Sequence, residues 1–235
     1  MARPNRRQDR LDAMMGLMGT MGSLRLRDAA SHLGVTEMTL RRDVAGPHAP
    51  MRCLGGWLVP AAIAPDYDLP AEMDRHVEAK RAAARAALPL IQPGTRIFVD
   101  CGTTTVHLAP LLVGPLTVVT HALPVAQILS QTASGSGNLT LQLLGGVYHP
   151  VTAAFFGRPA LPEGLYFDLA IISAGGIAAD GALSCSHGAE VAMKQAVMAV
   201  STRRIVLADR SKLDLRRPFV FAQLDEFHSM VLDQA

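Results

Sequence analysis

The segment LRLRDAASHLGVTEMTLRRDV, from Leu24 to Val44, constrains the fold of this chain more than any other stretch. Leu26, Ala29, Ala30 and Leu33 recur at helical spacing, and Gly34 permits a sharp turn. Thr36 then stands where it can cap a second helix whose inward residues are Leu40 and Val44. Two short helices joined this way share one apolar stripe, so the other face of the second helix looks outward. Starting from Thr36, that face offers Glu37, Met38, Thr39, Arg41 and Arg42. Such a mixture of hydrogen-bonding, apolar and cationic groups suits base edges and phosphates in a DNA groove.

Any amphipathic helix pair carries arginines on its solvated side, and it is the sequel that sets this pair apart. Met51 to Val59, MRCLGGWLV, reads as two short strands around Gly55-Gly56, a two-residue hairpin signal. A hairpin after the second helix makes a winged helix. Arg52 is then placed beside the groove to meet the phosphate backbone, and Trp57 is expected to pack the wing onto the helices.

Charge supports this division of the chain. Residues 1–60 hold nine arginines against five acidic groups, whereas the remainder holds thirteen basic against fifteen acidic groups. Arg3, Arg6, Arg7 and Arg10 are candidates for an additional phosphate-contacting arm. Met14, Met15, Met18 and Met21 are expected to line the inner side of a first helix. Cys53, Cys101 and Cys185 lie far apart without the spacing of a zinc site, so no metal or cofactor is expected and a reducing cytoplasm fits. No run of about eighteen uninterrupted apolar residues appears, and the arginine-rich start leads into an amphipathic segment, so neither a membrane span nor a signal core is expected.

With 235 residues, 49% of them hydrophobic, the chain is long enough for a small and a medium domain. PAAIAPDYDLP, from Pro60 to Pro70, has three prolines and no helical period, which reads as a linker. An alanine-rich helix follows over 74–90, and then apolar strands at 96–100, 116–120, 139–144, 169–173, 204–208 and 230–232 alternate with helices. That pattern predicts a mainly parallel α/β sheet covered on both faces. The expected organisation is a DNA-reading domain over 1–60, a linker over 61–73 and a second domain over 74–235.

Ligands of such sheets bind outside the carboxyl ends of the strands, and the polar signals cluster there. Asp100 with Gly102, Thr103, Thr104 and Thr105 follows the first strand, His121 the second, Gly145 and Gly146 the third, and Ser173, Gly175 and Gly176 the fourth. Lys212 follows the fifth. A glycine and three threonines at a helix start present backbone N–H groups and hydroxyls to an anion, and phosphate fits that description. Lys194 and Lys212 are candidate counter-charges, and Asp100 and Glu190 candidate acceptors for sugar hydroxyls. His121 alone is ambiguous between a structural and a chemical role.

The motifs DAASHLGVTEMTLRRDV, APMRCLGGWLV, EAKRAAARAA, FVDCGTTT, LLGGVYH, DLAIISAGGI, the Glu190 and Lys194 pair and LADRSKL occur in the order and spacing of one family. The chain resembles the DeoR family of transcriptional regulators over nearly its whole length. The resemblance implies an N-terminal winged helix-turn-helix that binds double-stranded operator DNA. It also implies a C-terminal sensor similar in fold to ribose-5-phosphate isomerase, which binds a phosphorylated sugar, with deoxyribose 5-phosphate as first candidate. A homo-oligomer acting as a repressor is expected. The segment from Ser184 to Glu190 and His121 depart from the family's usual residues, which bears on the sugar. The rival reading is a sugar-phosphate isomerase, but where isomerases of this fold have an acidic DGAD turn the chain has Ser173-Ala174-Gly175-Gly176, leaving only Glu190 as a base.

Overall fold

Apolar spacing builds the N-terminal part. The computed structural model describes residues 7–19, 23–46, 49–54, 56–61, 69–136, 138–157 and 161–234. Helices α1 (Arg7–Met18), α2 (Leu26–Leu33) and α3 (Glu37–Val44) surround a core of Leu11, Met14, Met18, Leu26, Ala29, Leu33, Leu40 and Val44. Gly34 ends α2 in the left-handed conformation at φ 64°, and the Thr36 hydroxyl accepts a 3.2 Å hydrogen bond from the Thr39 N–H to start α3. The wing is a three-stranded antiparallel sheet, since β1 (Leu24–Arg25) pairs with the second strand of the hairpin formed by β2 (Met51–Leu54) and β3 (Trp57–Pro60). The hairpin matches its signal, with Leu54 opposite Trp57 and Gly56 at φ 85°.

Two expectations here are corrected. Met15 is exposed, so only Met14 and Met18 of the described methionines turn inward; Met21 lies outside the described residues. Arg7 and Arg10 are not a free arm. Arg10 makes a two-pronged ion pair of 2.6 and 2.8 Å with the buried Asp43 on α3, and Arg7 donates to the Asp43 carbonyl. They fasten α1 to the reading helix; Arg3 and Arg6 lie outside the described residues.

Most of the 60–70 linker also falls outside the described residues, but its end is not loop: α4 (Leu69–Asp74) precedes α5 (Val77–Ala87). Six parallel strands then follow, separated by α6 (Thr103–Leu108), α7 (Leu123–Ser136) and α8 (Gly188–Ala199). They are β4 (Arg96–Val99), β5 (Leu116–Thr120), β6 (Leu139–Leu143), β9 (Phe167–Ser173), β12 (Ser201–Leu207) and β14 (Ser229–Val231). Their spatial order is β14-β12-β9-β4-β5-β6. The order reverses between β4 and β9, which makes their carboxyl ends the switch point where such sheets bind ligands.

Alternate residues on each strand serve opposite cores. Ile97, Val99, Ile171 and Leu207 pack with α5, α6 and α7, while Phe98, Ala170, Ile172 and Val206 pack with α8 on the other face. Helices do not cover that second face alone. A three-stranded antiparallel sheet of β10 (Gly176–Ile177), β11 (Ala182–Cys185) and β13 (Phe219–Gln223) completes it, and β7 (Val147–His149) pairs with β8 (Ala154–Phe156) at the edge.

The wing rests on this second core. Val59 is wholly buried within it, and the Trp57 ring meets Phe219 edge-on at 5.6 Å with Arg25 stacked 4.6 Å above. Trp57 therefore joins the wing to the C-terminal part, whereas it was expected to pack the wing onto the reader helices. Gly188, the first residue of α8, lies so close beneath that a Cβ there would sit 2.3 Å from the indole. Gly188→Val is expected to displace the ring at a cost of about 1–3 kcal/mol in stability, as overpacking does. Trp57 is the chain's one tryptophan, so a red-shifted emission spectrum checks the displacement directly.

Candidate functional site

Two surfaces combine polar chemistry with access. The first is the outer face of α3, where Thr36, Glu37, Met38, Arg41 and Arg42 are exposed and Thr39 is half-buried. Met38 keeps 58% of its area in solvent, a large apolar side chain with no core to enter. Arg41 reaches the wing at Cys53 Sγ, 3.4 Å away, and Arg52 is exposed on the neighbouring strand. The six α3 residues singled out as DNA contacts, counting the cap Thr36, are accessible on this helix, and Arg52 is exposed on β2 beside it.

The second is a cleft of about 530 Å³ above the switch point. Gly102, Thr103 and Thr104 line one side, Ser173 and Gly175 the floor, and Glu190 and Lys212 the remaining rim. Cys101, Thr152, Cys185, Ser186, Arg217 and Glu72 line it too and were not singled out from sequence. Only Glu72 and Arg217 bring charge. Arg217 donates to the Gly175 carbonyl at 3.1 Å, and Glu72 reaches Lys212 from α4 at 3.0 Å.

Several predicted rim residues lie elsewhere. Asp100 is fully buried beneath the floor, where its carboxylate accepts from the Ser173 N–H at 2.9 Å, the Ser173 hydroxyl at 2.6 Å and the Lys194 ammonium. His121, also fully buried, places Nε2 3.1 Å from Asp100 and Nδ1 3.2 Å from the Phe155 carbonyl, so its role is structural. Thr105 turns its hydroxyl inward to the carbonyls of Asp100 and Gly102 and caps its own turn. Lys194 is buried on Asp100, the Ser173 carbonyl and, at 3.5 Å, Glu190. It holds the floor and is not a cation open to the cleft.

Gly145 and Gly146 are exposed in the turn after β6, away from the cleft; Gly146 adopts φ 143° with the Phe156 carbonyl 2.5 Å from where a Cβ would stand. Gly176 likewise serves packing, against the Leu215 carbonyl. Asp100, Cys101 and His121 come close enough to suggest a metal triad, but Lys194 and the Ser173 donors already fill the Asp100 oxygens.

Burial opposes ionisation of Asp100, yet the Lys194 charge and the His121 bond prevail and hold its pKa below the usual carboxylate range. Burial likewise disfavours charged Lys194, and Asp100 with Glu190 outweighs it and raises its pKa. A depressed carboxylate contributes stability above its unfolded pKa of about 3.9 and loses it as pH falls toward the folded value. A raised lysine contributes below about 10.4 and loses its contribution as pH rises beyond. Asp100→Asn, which strips the main countercharge from a buried ammonium, is expected to destabilise the fold by about 3–5 kcal/mol. Thermal melts between neutral pH and pH 2 should show a steeper acid decline for wild type than for the variant.

An exposed reading helix and wing, joined in one chain to a switch-point cleft, define a ligand-responsive DNA-binding regulator. Comparison with known proteins gives its family. A model of the DeoR-like helix-turn-helix domain matches residues 10–51, and one of the DeoR C-terminal sensor domain matches residues 75–234. The deoxyribose operon repressor of Escherichia coli K12 is 31% identical over 97% of this chain and 91% of its own length. The lactose phosphotransferase system repressor of Staphylococcus epidermidis is 30% identical over 96% and 91%. The chain belongs to the DeoR family of transcriptional repressors. Among solved structures, a D-ribose-5-phosphate isomerase in complex with phospho-erythronic acid aligns over 59% of this chain and 55% of its own, at 20% identity and a TM-score of 0.43.

Proposed function

We propose that the chain represses a sugar or nucleoside catabolic operon and leaves its operator when a phosphorylated sugar enters the switch-point cleft, with deoxyribose 5-phosphate the first candidate. Residues 1–60 read the DNA, 61–73 connect, and 74–235 sense the ligand. The observation that carries the reading is one cleft lined by Thr103, Thr104 and the largely buried, Glu72-paired Lys212, in the same chain as an exposed reading face. The similarity to a deoxyribose operon repressor supports the choice of sugar. Glu190 and Ser186 at the far side of the cleft are placed to bind sugar hydroxyls. No helix of the described residues is long and apolar enough to cross a membrane, in keeping with work in the cytoplasm.

Arg41, Arg42 and Arg52 provide the phosphate contacts of one reader. A single copy with three such contacts gives a log–log salt slope of about −2.7, and a dimer on two half-sites about twice that. Fluorescence anisotropy on operator DNA across a salt series distinguishes the two; we expect the steeper slope. Arg41→Ala and Arg42→Ala should each reduce it and weaken binding, and wild-type affinity in both would move the interface elsewhere.

For the sensor, Thr103→Val and Thr104→Val are expected to bind operator normally without ligand. They should need about tenfold more deoxyribose 5-phosphate for release, the loss of about 1.4 kcal/mol of hydrogen bonding. Effector titration into preformed protein–operator complexes measures this. Release at wild-type concentrations in both variants would place the phosphate away from this rim.

A further inference from the structure

The cleft already contains an anion. Glu72, from the short helix α4, puts its carboxylate 3.0 Å from Lys212 Nζ and 3.0 Å from Arg75 Nη1, and Arg217 adds its field from across the rim. The same residue's backbone carbonyl accepts from Lys80, whose ammonium is wholly buried. One carboxylate thus answers a cluster of cations at the place where the preceding section puts a phosphate. No residue of α4 is fully buried, and apart from Met73, which packs against the core, these polar contacts are what fasten it. Just beyond, His76 holds a left-handed backbone at φ 53°, a conformation L side chains rarely adopt, and it sets the sharp break between α4 and α5.

Building on the sensor reading, we propose that Glu72 is the internal occupant of the effector's anion subsite. An incoming phosphate takes Lys212 from it, and α4, released, moves the connection to the DNA reader. Two anions on one ammonium in a closed cleft repel, so phosphate and the Glu72 carboxylate exclude each other. The exchange favours phosphate because a phosphate monoester carries about −1.5 to −2 at neutral pH against −1 for a carboxylate, and so balances Lys212 and Arg217 better. Exclusive binding also meets the requirement that an effector shift an equilibrium only through differential affinity: the ligand binds the arrangement with α4 detached more tightly than the one with α4 docked.

The test uses full-length protein, operator DNA, inorganic phosphate, deoxyribose, and a panel of pentose and hexose phosphates including deoxyribose 5-phosphate. Glu72→Gln removes the competing charge and keeps the shape. It is expected to bind phosphate-bearing ligands about tenfold more tightly than wild type, with no gain for neutral deoxyribose, and to leave the operator at correspondingly lower ligand. In wild type, which needs no variant to fold, hydrogen exchange over 69–74 should accelerate when the best-binding sugar phosphate saturates the protein. Equal or weaker phosphate binding by Glu72→Gln, or protection of 69–74 on binding, overturns the exchange and leaves the sensor reading intact. Failure of wild type to bind any sugar phosphate overturns the sensor reading itself.

Discussion

The buried Asp100–Lys194 pair is the interaction on which the C-terminal part depends. Asp100 ends β4, Ser173 ends β9, His121 follows β5 and Lys194 comes from α8, so one carboxylate gathers the ends of three strands and a helix at the switch point. Parallel strands supply no turn that would fix their ends together, and the gap at a switch point is open by construction. A buried charge pair is expensive to desolvate and tolerable only when its remaining valences are met. Here the Ser173 N–H and hydroxyl, the His121 ring and the Ser173 carbonyl meet them. The floor of the cleft is tied together for that reason, beneath the lining residues Thr103, Thr104, Glu190 and Lys212.

The reader is organised on the same pattern at smaller scale. Asp43 faces inward from α3 and takes both prongs of Arg10, which orients the helix while its opposite face stays free. Two arginines that count as basic in the sequence are therefore engaged with Asp43 inside the reader, which leaves Arg41, Arg42 and Arg52 as the arginines proposed to face DNA. Net charge by segment identifies the partner's sign but overstates the number of contacts.

Much of this architecture was legible in the sequence. The six parallel strands were visible because they read as short apolar runs, the central ones buried on both faces, and the Gly34 turn, the Thr36 cap and the Gly55-Gly56 hairpin each have a local chemical signature. β10, β11 and β13 were missed because they are short, buried and without alternation, and α4 because two prolines beside it read as linker. At the site, the sequence located the rim but not the direction of its side chains. Asp100, Lys194 and His121 stand at strand ends or on the right helix, yet they point below the floor, a matter decided by tertiary partners 21 to 94 residues away. Gly145 and Gly146 looked like ligand-cradling glycines, yet Gly146 serves a positive φ close against the Phe156 carbonyl and Gly145 is exposed beside it. Glu72 and Arg217 belong to no recognisable local motif, and only the folded chain brings them to Lys212.

Two connections run from the cleft to the reader, and they differ in kind. One is covalent, through α4 and the segment that precedes it. The other is packing alone: Glu190, on the cleft wall, lies two residues beyond Gly188, on which Trp57 of the wing is stacked. Close-packed contacts transmit displacement because they have no slack, and a ring with a glycine beneath it and Phe219 at its edge cannot follow a shift of α8 without moving the wing. In the release proposed above, the covalent route changes how far the reader travels and the packed route changes where it rests. Since Trp57 lies on only the second route, disturbing it alters the resting position of the wing while the α4 anchor at Lys212 stays whole, and the two contributions to operator release are separable in one molecule.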